Sequence, residues 1–344
     1  IRAAIDRALD GGISFGASNT LEARFARAVC ARFGLERVRF TNSGTEANLM
    51  ALALASAVTG RRGVMAFGGG YHGGVFTFAG GAASPINAPY DYVVAPYNDT
   101  EASLALIARH GATLAAVIVE PMQGSGGCLP ADPDFLRAVA AAARAAGAVV
   151  ILDEVMTSRL APGGLGASQG VAGDLVTLGK YIGGGMSFGA FGGRADLLER
   201  FDPRRKDAFP HAGTFNNNVL TMSAGYAGLT ELFTPEAATA LNARGEALRG
   251  RLNALCAAAG APICFTGIGS MIAVHTQSGP VRTPAEAARD DAGLKELFFF
   301  DMVASGIWLA RRGMMALSLP VGDAECARME EAVAEFLAAR RSLF

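Results

Sequence analysis

The sequence predicts an α/β fold, with a large domain on a mainly parallel sheet covered by helices on both faces and a smaller α+β domain after it. Short apolar runs alternate with longer Ala- and Leu-rich helical patterns, as in residues 115–119, 134–146 and 148–152, which is typical of βαβ units. The 44 glycines gather at segment ends, where tight turns or a close ligand need them. From about Pro235 onward glycine becomes rarer and long helical stretches frame a few short strands.

The domain bounds follow from these shifts. We expect residues 1–18 to form an N-terminal helix and connection, residues 19–235 the large domain and residues 236–344 the small one. A chain of 344 residues with 51% hydrophobic residues is long enough to bury a sizeable core. The polar stretch 277–291 is expected to be a mobile loop.

Composition argues against several classes of partner. The net charge of −1 comes from 30 basic and 31 acidic residues mixed along the chain, so no basic stripe is available for nucleic acid. Apolar runs such as residues 145–152 are too short to span a bilayer, and the charged helical start is unlike a signal peptide. We therefore expect a cytoplasmic protein with no membrane partner. Its five scattered cysteines form no C-x-x-C pair, which predicts free thiols and no structural metal.

The first candidate element of a site is the segment NSGTEA at residues 42–47. It follows a strand-like run at residues 38–40 and opens a helical pattern through Leu49, Leu52 and Leu54. Free N–H groups and the helix dipole make such a helix start an anion-binding site. The alternative is that Ser43 and Thr45 are ordinary helix caps.

Two apolar strands end in charged residues. Residues 151–155 carry Asp153, and residues 175–180 end in Lys180, at the strand ends where α/β sheets bind ligands. The alternative for Lys180 is a capped or snorkelling lysine. Together with an anion site, a lysine and an aspartate supply what pyridoxal 5'-phosphate needs: an amine for a Schiff base, a partner for the pyridine nitrogen and a place for the phosphate.

These residues belong to a longer series of motifs. NSGTEA at residues 42–47, GGYHG at 69–73, VEPMQG at 119–124, DEVMTSR at 153–159, TLGKYIGGG at 177–185 and GTFNNN at 213–218 stand in this order. The series resembles the class III (ω-type) aminotransferases, which are pyridoxal-phosphate enzymes of fold type I. Within that family it is most similar to the β-phenylalanine aminotransferases and the glutamate-1-semialdehyde aminomutases.

The resemblance implies a role for each matched position. Lys180 would bind the cofactor covalently, and Asp153 would pair with its ring nitrogen. The remaining cofactor-binding residues would be Ser43, Gly44 and Thr45 at the phosphate, Tyr71 and Val155 on the two ring faces, His72 and Glu120 beside them, and Thr214 at the phosphate of the neighbouring subunit's cofactor. The last of these implies an obligate homodimer.

Taken one at a time, several of these residues also have a structural explanation that involves no cofactor. In a glycine-rich loop, Tyr71 is equally explained as a packing aromatic and His72 as a hydrogen-bonded loop histidine. Val155 is equally explained as a core residue. Glu120, which precedes a proline, either braces the site or hydrogen-bonds near the cofactor.

Two departures from the aminomutase pattern favour the β-phenylalanine branch. Ser158 follows Asp153-Glu154-Val155-Met156-Thr157 directly, and three asparagines follow Gly213-Thr214-Phe215. In this branch Arg312, ahead of an apolar strand, would bind a substrate carboxylate in bidentate fashion, and Met156 is the second candidate for substrate binding. The alternative for Arg312 is a solvated surface arginine.

The sequence therefore predicts transamination of an aromatic β-amino acid with a keto-acid acceptor such as 2-oxoglutarate. A glutamate-1-semialdehyde-type intramolecular amino transfer is the first alternative, and it would need no keto acid. The second is a non-catalytic fragment that binds pyridoxal phosphate, because relatives generally have a longer segment before the position of Ile1.

Overall fold

The computed structural model describes residues 1–344, and the chain divides into two compact units. The first unit comprises Ile1–Pro121 and Asp132–Glu236, and the second comprises Met122–Ala131 and Ala237–Phe344. The short stretch of ten residues that interrupts the first unit was not anticipated from the sequence.

Strands and helices alternate through most of the chain. The strands are β1 (Arg37–Thr41), β2 (Gly63–Phe67), β3 (Asp91–Ala95), β4 (Leu114–Val119), β5 (Met122–Gln123), β6 (Leu129–Pro130), β7 (Val149–Asp153), β8 (Leu175–Gly179), β9 (Gly189–Gly193), β10 (Cys264–Ile268), β11 (Met271–His275) and β12 (Met314–Ala316). The helices are α1 (Arg2–Leu9), α2 (Thr20–Phe33), α3 (Gly44–Thr59), α4 (Thr100–His110), α5 (Pro133–Ala145), α6 (Leu165–Ser168), α7 (Ala195–Leu198), α8 (Val219–Ala227), α9 (Pro235–Ala259), α10 (Pro284–Ala287), α11 (Ala292–Ala304) and α12 (Asp323–Ala339).

The first unit is built on a seven-stranded sheet in the order β1-β9-β8-β7-β4-β2-β3. Neighbours from β3 to β8 run parallel, whereas β9 is antiparallel to both β8 and β1. Every residue of the central strands β4 and β7 is buried, as expected for a sheet with helices on both faces. The predicted mainly parallel α/β fold is confirmed.

Helix α3 packs closely on this sheet because its inward face is made of small residues. Ala47, Ala51 and Ala55 recur at four-residue spacing and are 0% exposed. The core below them includes Ile118 of β4 and Ile151 of β7. These small side chains allow α3 to lie close to the strands. The first turn of α3 follows directly after the end of β1.

Strand β9 makes an even closer approach. Its sequence is Gly-Ala-Phe-Gly-Gly, and a Cβ atom added at Gly189 would overlap the carbonyl oxygen of Ser43 and the hydroxyl of Thr41. Only glycine leaves enough space here for the turn that begins α3.

The second unit is an α+β arrangement. It holds the antiparallel sheet β10-β11-β12 and the small β5-β6 ladder. Phe298 of α11 packs edge-on against Phe336 of α12, with ring centroids 5.2 Å apart, and forms part of its core. The stretch 277–291, expected to be a loop, contains the short helix α10, which begins with a capping box formed by Thr283 and Glu286. None of the helices combines the length and the apolar content that a bilayer crossing requires.

Candidate active site

Four adjacent parallel strands end at the same edge of the large sheet, and each leads into a predicted site residue. β2 leads into the loop with Tyr71 and His72, β4 into Glu120, β7 ends at Asp153, and β8 leads into Lys180. Since neighbouring strands lie about 4.8 Å apart, the four ends form one row. The candidate site therefore lies at the carboxyl edge of a parallel sheet, where ligands of such sheets bind.

The carboxylate of Asp153 is buried and accepts hydrogen bonds on both of its oxygens. It is 4% exposed, and its Oδ2 accepts hydrogen bonds from His72 Nδ1 at 2.7 Å and from Asn48 Nδ2 at 2.8 Å. Its Oδ1 accepts one hydrogen bond, from the backbone N–H of Val155 at 3.0 Å. A carboxylate oxygen has two lone pairs, so Oδ1 retains one for a further donor.

His72 is a buried loop histidine that is hydrogen-bonded to Asp153. Burial of the ring opposes its charged form, but the hydrogen bond to Asp153 and the negative charges of Asp153 and Glu120 outweigh burial and raise the pKa of His72. Because an ionised carboxylate only accepts hydrogen bonds, His72 must carry a hydrogen on Nδ1. Its ring thus fixes the direction of the Asp153 carboxylate.

The segment at residues 42–47 forms a helix start as predicted. Ser43 is the N-cap of α3, and its Oγ accepts from the backbone N–H of Glu46 at 3.1 Å, while Glu46 Oε2 accepts from the N–H of Asn42 at 2.8 Å. Capping is thus one role of Ser43, and its hydroxyl hydrogen remains available as a donor. The first N–H groups of α3, at Gly44 and Thr45, have no partner within the helix and suit an anion.

Val155 lies between the start of α3 and the end of β8. A Cβ atom added at Gly44 would lie 2.7 Å from Val155 Cγ1, and one added at Gly179 would lie 3.1 Å from the same atom. The valine side chain therefore stands beside both the proposed phosphate site and Lys180. It is half-buried, which leaves part of its surface for a ligand.

Lys180 is exposed and has an unusual backbone. It has φ +53°, in the left-handed region that residues other than glycine rarely adopt, and it begins a short 3₁₀ turn after β8. Strained residues of this kind concentrate at functional sites, where the surrounding structure holds them in place. An exposed amine at the end of a buried strand is consistent with a covalent role.

The Glu120 side chain is hydrogen-bonded to the backbone of Tyr71 in the loop after β2. Its Oε1 accepts from the backbone N–H of Tyr71 at 3.0 Å, and its own carbonyl oxygen accepts from the hydroxyl of Tyr97 at 2.9 Å. Tyr71 itself is 45% exposed, which is more than a packing aromatic requires. Its ring is available to stack on a ligand.

Thr214 lies apart from this row, in the exposed segment before α8. It lines a cavity of about 400 Å³ together with Arg39, His211 and Asn216. Arg39 Nε donates to His211 Nδ1 at 2.8 Å, so His211 is neutral, and burial together with Arg39 lowers the pKa of His211. Asn42 Nδ2 donates to Asn216 Oδ1 at 2.8 Å and ties this segment to the start of α3.

The two candidates for substrate binding occupy different units. Met156 is half-buried, three residues after Asp153 in the first unit. Arg312 is exposed in the second unit, where its guanidinium contacts Met314 Sδ at 3.6 Å and has no carboxylate within ion-pair distance. Its neighbour Arg311 is paired with Glu296, which leaves Arg312 as the unpaired arginine of the two.

Two buried residues were missed by the sequence analysis. Asn48 bonds to Asp153, and its only signal was an amide on the face of α3 shared with Ala51 and Leu52. Glu154 accepts from the hydroxyl of Thr157 at 2.7 Å and from the N–H groups that open α6, at 3.0 and 2.7 Å. Burial raises the pKa of Glu154 against these hydrogen bonds. Glu154 therefore fixes the turn after Asp153.

The chain matches known proteins over its full length. The sequence model of class III aminotransferases matches residues 2–335. A β-phenylalanine transaminase from Variovorax paradoxus is 54% identical over 344 residues, which is 100% of this chain and 79% of that protein. The crystal structure of a β-phenylalanine aminotransferase from the same organism superposes with a TM-score of 0.97, at 54% identity, over 99% of this chain and 79% of that one.

A glutamate-1-semialdehyde 2,1-aminomutase from Deinococcus deserti is also similar, at 40% identity over 90% of this chain and 75% of that protein. Both branches predicted from the motifs are thus represented among the relatives. The fold and cofactor predicted from the motifs are confirmed by the family match and by the solved structure of a transaminase with bound pyridoxal phosphate, which is 34% identical and superposes with a TM-score of 0.89 over 99% of this chain and 82% of that one. This chain belongs to the class III aminotransferase family and is a pyridoxal-phosphate-dependent aminotransferase of fold type I.

Proposed function

We propose that the enzyme transfers the amino group of an aromatic β-amino acid of the β-phenylalanine type to a keto acid such as 2-oxoglutarate. The observation that carries this proposal is the similarity of the whole chain to the β-phenylalanine transaminase of Variovorax paradoxus. The serine after Thr157 and the asparagines after Phe215 support the same branch of the family.

The residues present fit the cofactor. Asp153 Oδ1 has a lone pair to spare, the absence of a side chain at Gly44 allows Val155 to lie against the start of α3, and Lys180 is exposed at the end of β8. Ser43, Gly44 and Thr45 would hold the phosphate with hydroxyl and backbone N–H groups. Tyr71 and Val155 would enclose the ring from its two faces.

When bound, pyridoxal phosphate supplies a protonated pyridine ring that withdraws electrons from the substrate carbon. Asp153 would hold the proton on the ring nitrogen, with His72 fixing the carboxylate. Lys180 Nζ would bind the cofactor covalently between turnovers. Once released, it would act as the base that removes the proton from the amine-bearing carbon of the substrate.

Arg312 would bind the carboxylate group of the substrate. Its guanidinium is exposed and unpaired, and the planar fork of arginine matches a carboxylate with two parallel hydrogen bonds. Met156 would contribute an adaptable apolar contact for an aromatic side chain.

We further propose a homodimer in which Thr214 reaches the cofactor phosphate of the neighbouring subunit. The exposed Thr214 and the open polar cavity around it support this arrangement. Light scattering should give twice the chain mass, and Thr214→Ala should weaken cofactor binding while the dimer persists. The five free thiols are typical of a reducing compartment, which supports a cytoplasmic location.

The substrate proposal is tested by supplying each enantiomer of β-phenylalanine with 2-oxoglutarate or with pyruvate and measuring the glutamate or alanine formed. α-Phenylalanine serves as the matched donor with its amine one carbon nearer the carboxylate. Turnover that needs a keto acid and prefers the β-amino acid supports the proposal. Turnover of glutamate-1-semialdehyde without any keto acid would favour the aminomutase alternative, and a cofactor spectrum that no donor changes would favour a non-catalytic protein.

A further inference from the structure

Asn48 occupies a central position behind the proposed cofactor site. It lies in the second turn of α3 and is 1% exposed. Its Nδ2 donates to Asp153 Oδ2 at 2.8 Å and to the carbonyl oxygen of His72 at 2.9 Å. Its Oδ1 accepts from the hydroxyl of Thr177 at 2.7 Å.

These three bonds fix the direction of the amide. Both hydrogens of Nδ2 are used by oxygen acceptors, and the amide oxygen faces a hydroxyl donor. In a flipped amide, the Asn48 oxygen would face Asp153 Oδ2 and the carbonyl oxygen of His72. All three atoms are acceptors, so none of these contacts would be a hydrogen bond. Since a buried unsatisfied polar group is costly, only one orientation is stable.

Asn48 and its partners belong to four of the segments that carry the proposed site. Helix α3 begins with the proposed phosphate residues, and the His72 carbonyl belongs to the loop that carries Tyr71. Asp153 ends β7, and Thr177 lies on β8, directly opposite Asp153 in the sheet register and shortly before Lys180. The Asn48 side chain thus connects these four segments.

The two oxygens of Asp153 are occupied unequally. Oδ2 accepts two hydrogen bonds, from His72 and Asn48, whereas Oδ1 accepts one, from Val155. The donor from Asn48 therefore decides which oxygen keeps a lone pair for another donor.

We propose that Asn48 is a positioning residue that saturates Asp153 Oδ2, so that Oδ1 is presented to the ring nitrogen of the cofactor. The proposal rests on the proposed role of Asp153. Asn48 touches neither substrate nor cofactor and acts through the carboxylate. Its loss should weaken the hold of Asp153 on the ring proton while leaving the covalent attachment at Lys180 intact.

The test is Asn48→Leu, which keeps the volume and removes the amide, in holoenzyme carrying cofactor labelled with ¹⁵N at the ring nitrogen. The ¹⁵N shift reports directly whether the ring nitrogen is protonated. We expect the ring to lose its proton at a pH at least one unit lower than in the wild type. The value of kcat should fall about ten- to a hundredfold, the range expected for one charge-assisted hydrogen bond, with a smaller change in KM.

Asn253→Leu is the matched control. Asn253 is a half-buried asparagine of the second unit whose Nδ2 donates to two backbone carbonyls at 3.0 and 3.1 Å and whose Oδ1 accepts from Phe265 N at 2.9 Å. Its substitution should lower stability without moving the ring-nitrogen titration. Thr177→Val is the second test variant should Asn48→Leu fold poorly, since it removes only the hydroxyl that fixes the amide. We expect a smaller shift of the titration in the same direction.

A double-mutant cycle separates this inference from the role of Asp153 itself. If Asn48 acts through Asp153, adding Asn48→Leu to Asp153→Asn should cost little further activity. An unchanged ring-nitrogen titration in both Asn48→Leu and Thr177→Val, or fully additive losses in the cycle, would overturn the inference. Normal turnover in Asp153→Asn alone would instead overturn the proposed role of Asp153.

Discussion

The contact between Gly44 and Val155 gives a prediction with a definite geometric basis. In Gly44→Ala the new Cβ would lie 2.7 and 2.9 Å from the two Cγ atoms of Val155, closer than real Cβ atoms approach other carbons. Because Gly44 begins α3 and Val155 follows Asp153 by two residues, the clash should push the proposed phosphate site away from the end of β7. Overpacking of this kind costs about 1–3 kcal/mol.

If this strain falls on the cofactor-bound form, cofactor affinity should drop by about five- to 150-fold. Equilibrium titration of the cofactor-free enzyme with pyridoxal phosphate measures the effect, and thermal unfolding of the cofactor-free enzyme measures how much strain falls on the fold itself. Val155→Ala in the Gly44→Ala background removes both Cγ atoms, so the double variant should bind the cofactor better than Gly44→Ala alone.

Gly250→Ala is the control for adding a methyl group. Gly250 lies within α9, and a Cβ added there meets nothing within 4 Å. This substitution should stabilise the protein by up to about 1 kcal/mol because alanine favours a helix. Wild-type affinity together with wild-type thermal stability in Gly44→Ala, or a loss that Val155→Ala does not rescue, would refute the inferred approach of α3 to Val155.

Three further predictions concern the proposed site. Lys180→Ala should abolish turnover and the absorbance of lysine-bound cofactor in a folded protein; borohydride reduction and peptide mapping of the wild type must place the cofactor on Lys180 and on no other lysine. Asp153→Asn should lower turnover by orders of magnitude while the cofactor stays bound. The donors from Asn48 and His72 would hold the amide oxygen at the position of Oδ2, so that an NH₂ group would replace Oδ1. Near-normal turnover at saturating cofactor would exclude Asp153 as the partner of the ring nitrogen. Arg312→Ala should slow the reaction of 2-oxoglutarate with the pyridoxamine form by about ten- to a hundredfold, a loss of about 1.5–3 kcal/mol, and Arg312→Lys should recover part of this rate. Single-turnover kinetics measure the rate, and an unchanged rate in Arg312→Ala would assign carboxylate binding to another residue.

Local patterns were sufficient for the elements that carry the site. The apolar run before Asp153 predicted β7, which ends at that residue, and the run before Lys180 predicted β8, which ends at Gly179. The helix expected at residues 134–146 corresponds to α5 within one residue, and the long helical stretches expected from about Pro235 onward include α9. These predictions succeeded because fully buried strands and long helices have strong periodic signals.

The contacts among the site residues were beyond local reasoning. Asn48 and Asp153 are 105 positions apart in sequence, and His72 and Asp153 are 81 apart, so their pairing depends on the order of strands in the sheet. The same reason explains why Met122–Ala131 was assigned to the large domain by position, although it belongs to the second unit, where Thr266 donates to the carbonyl oxygen of Gly127 at 2.7 Å.

The glycine strand β9 has a consequence for mutational scanning. Since the carbonyl group of Ser43 and the hydroxyl of Thr41 occupy the space where a side chain at Gly189 would stand, Gly189 should tolerate substitution as poorly as Lys180. The loss of activity measured for each substitution in a mutational scan would rank Gly189 and Lys180 as equally essential. It would not distinguish the steric requirement at Gly189 from the chemical requirement at Lys180. A small exogenous amine can substitute for a missing lysine side chain but cannot remove a methyl group. Rescue by methylamine should therefore restore part of the activity of Lys180→Ala and none of that of Gly189→Ala.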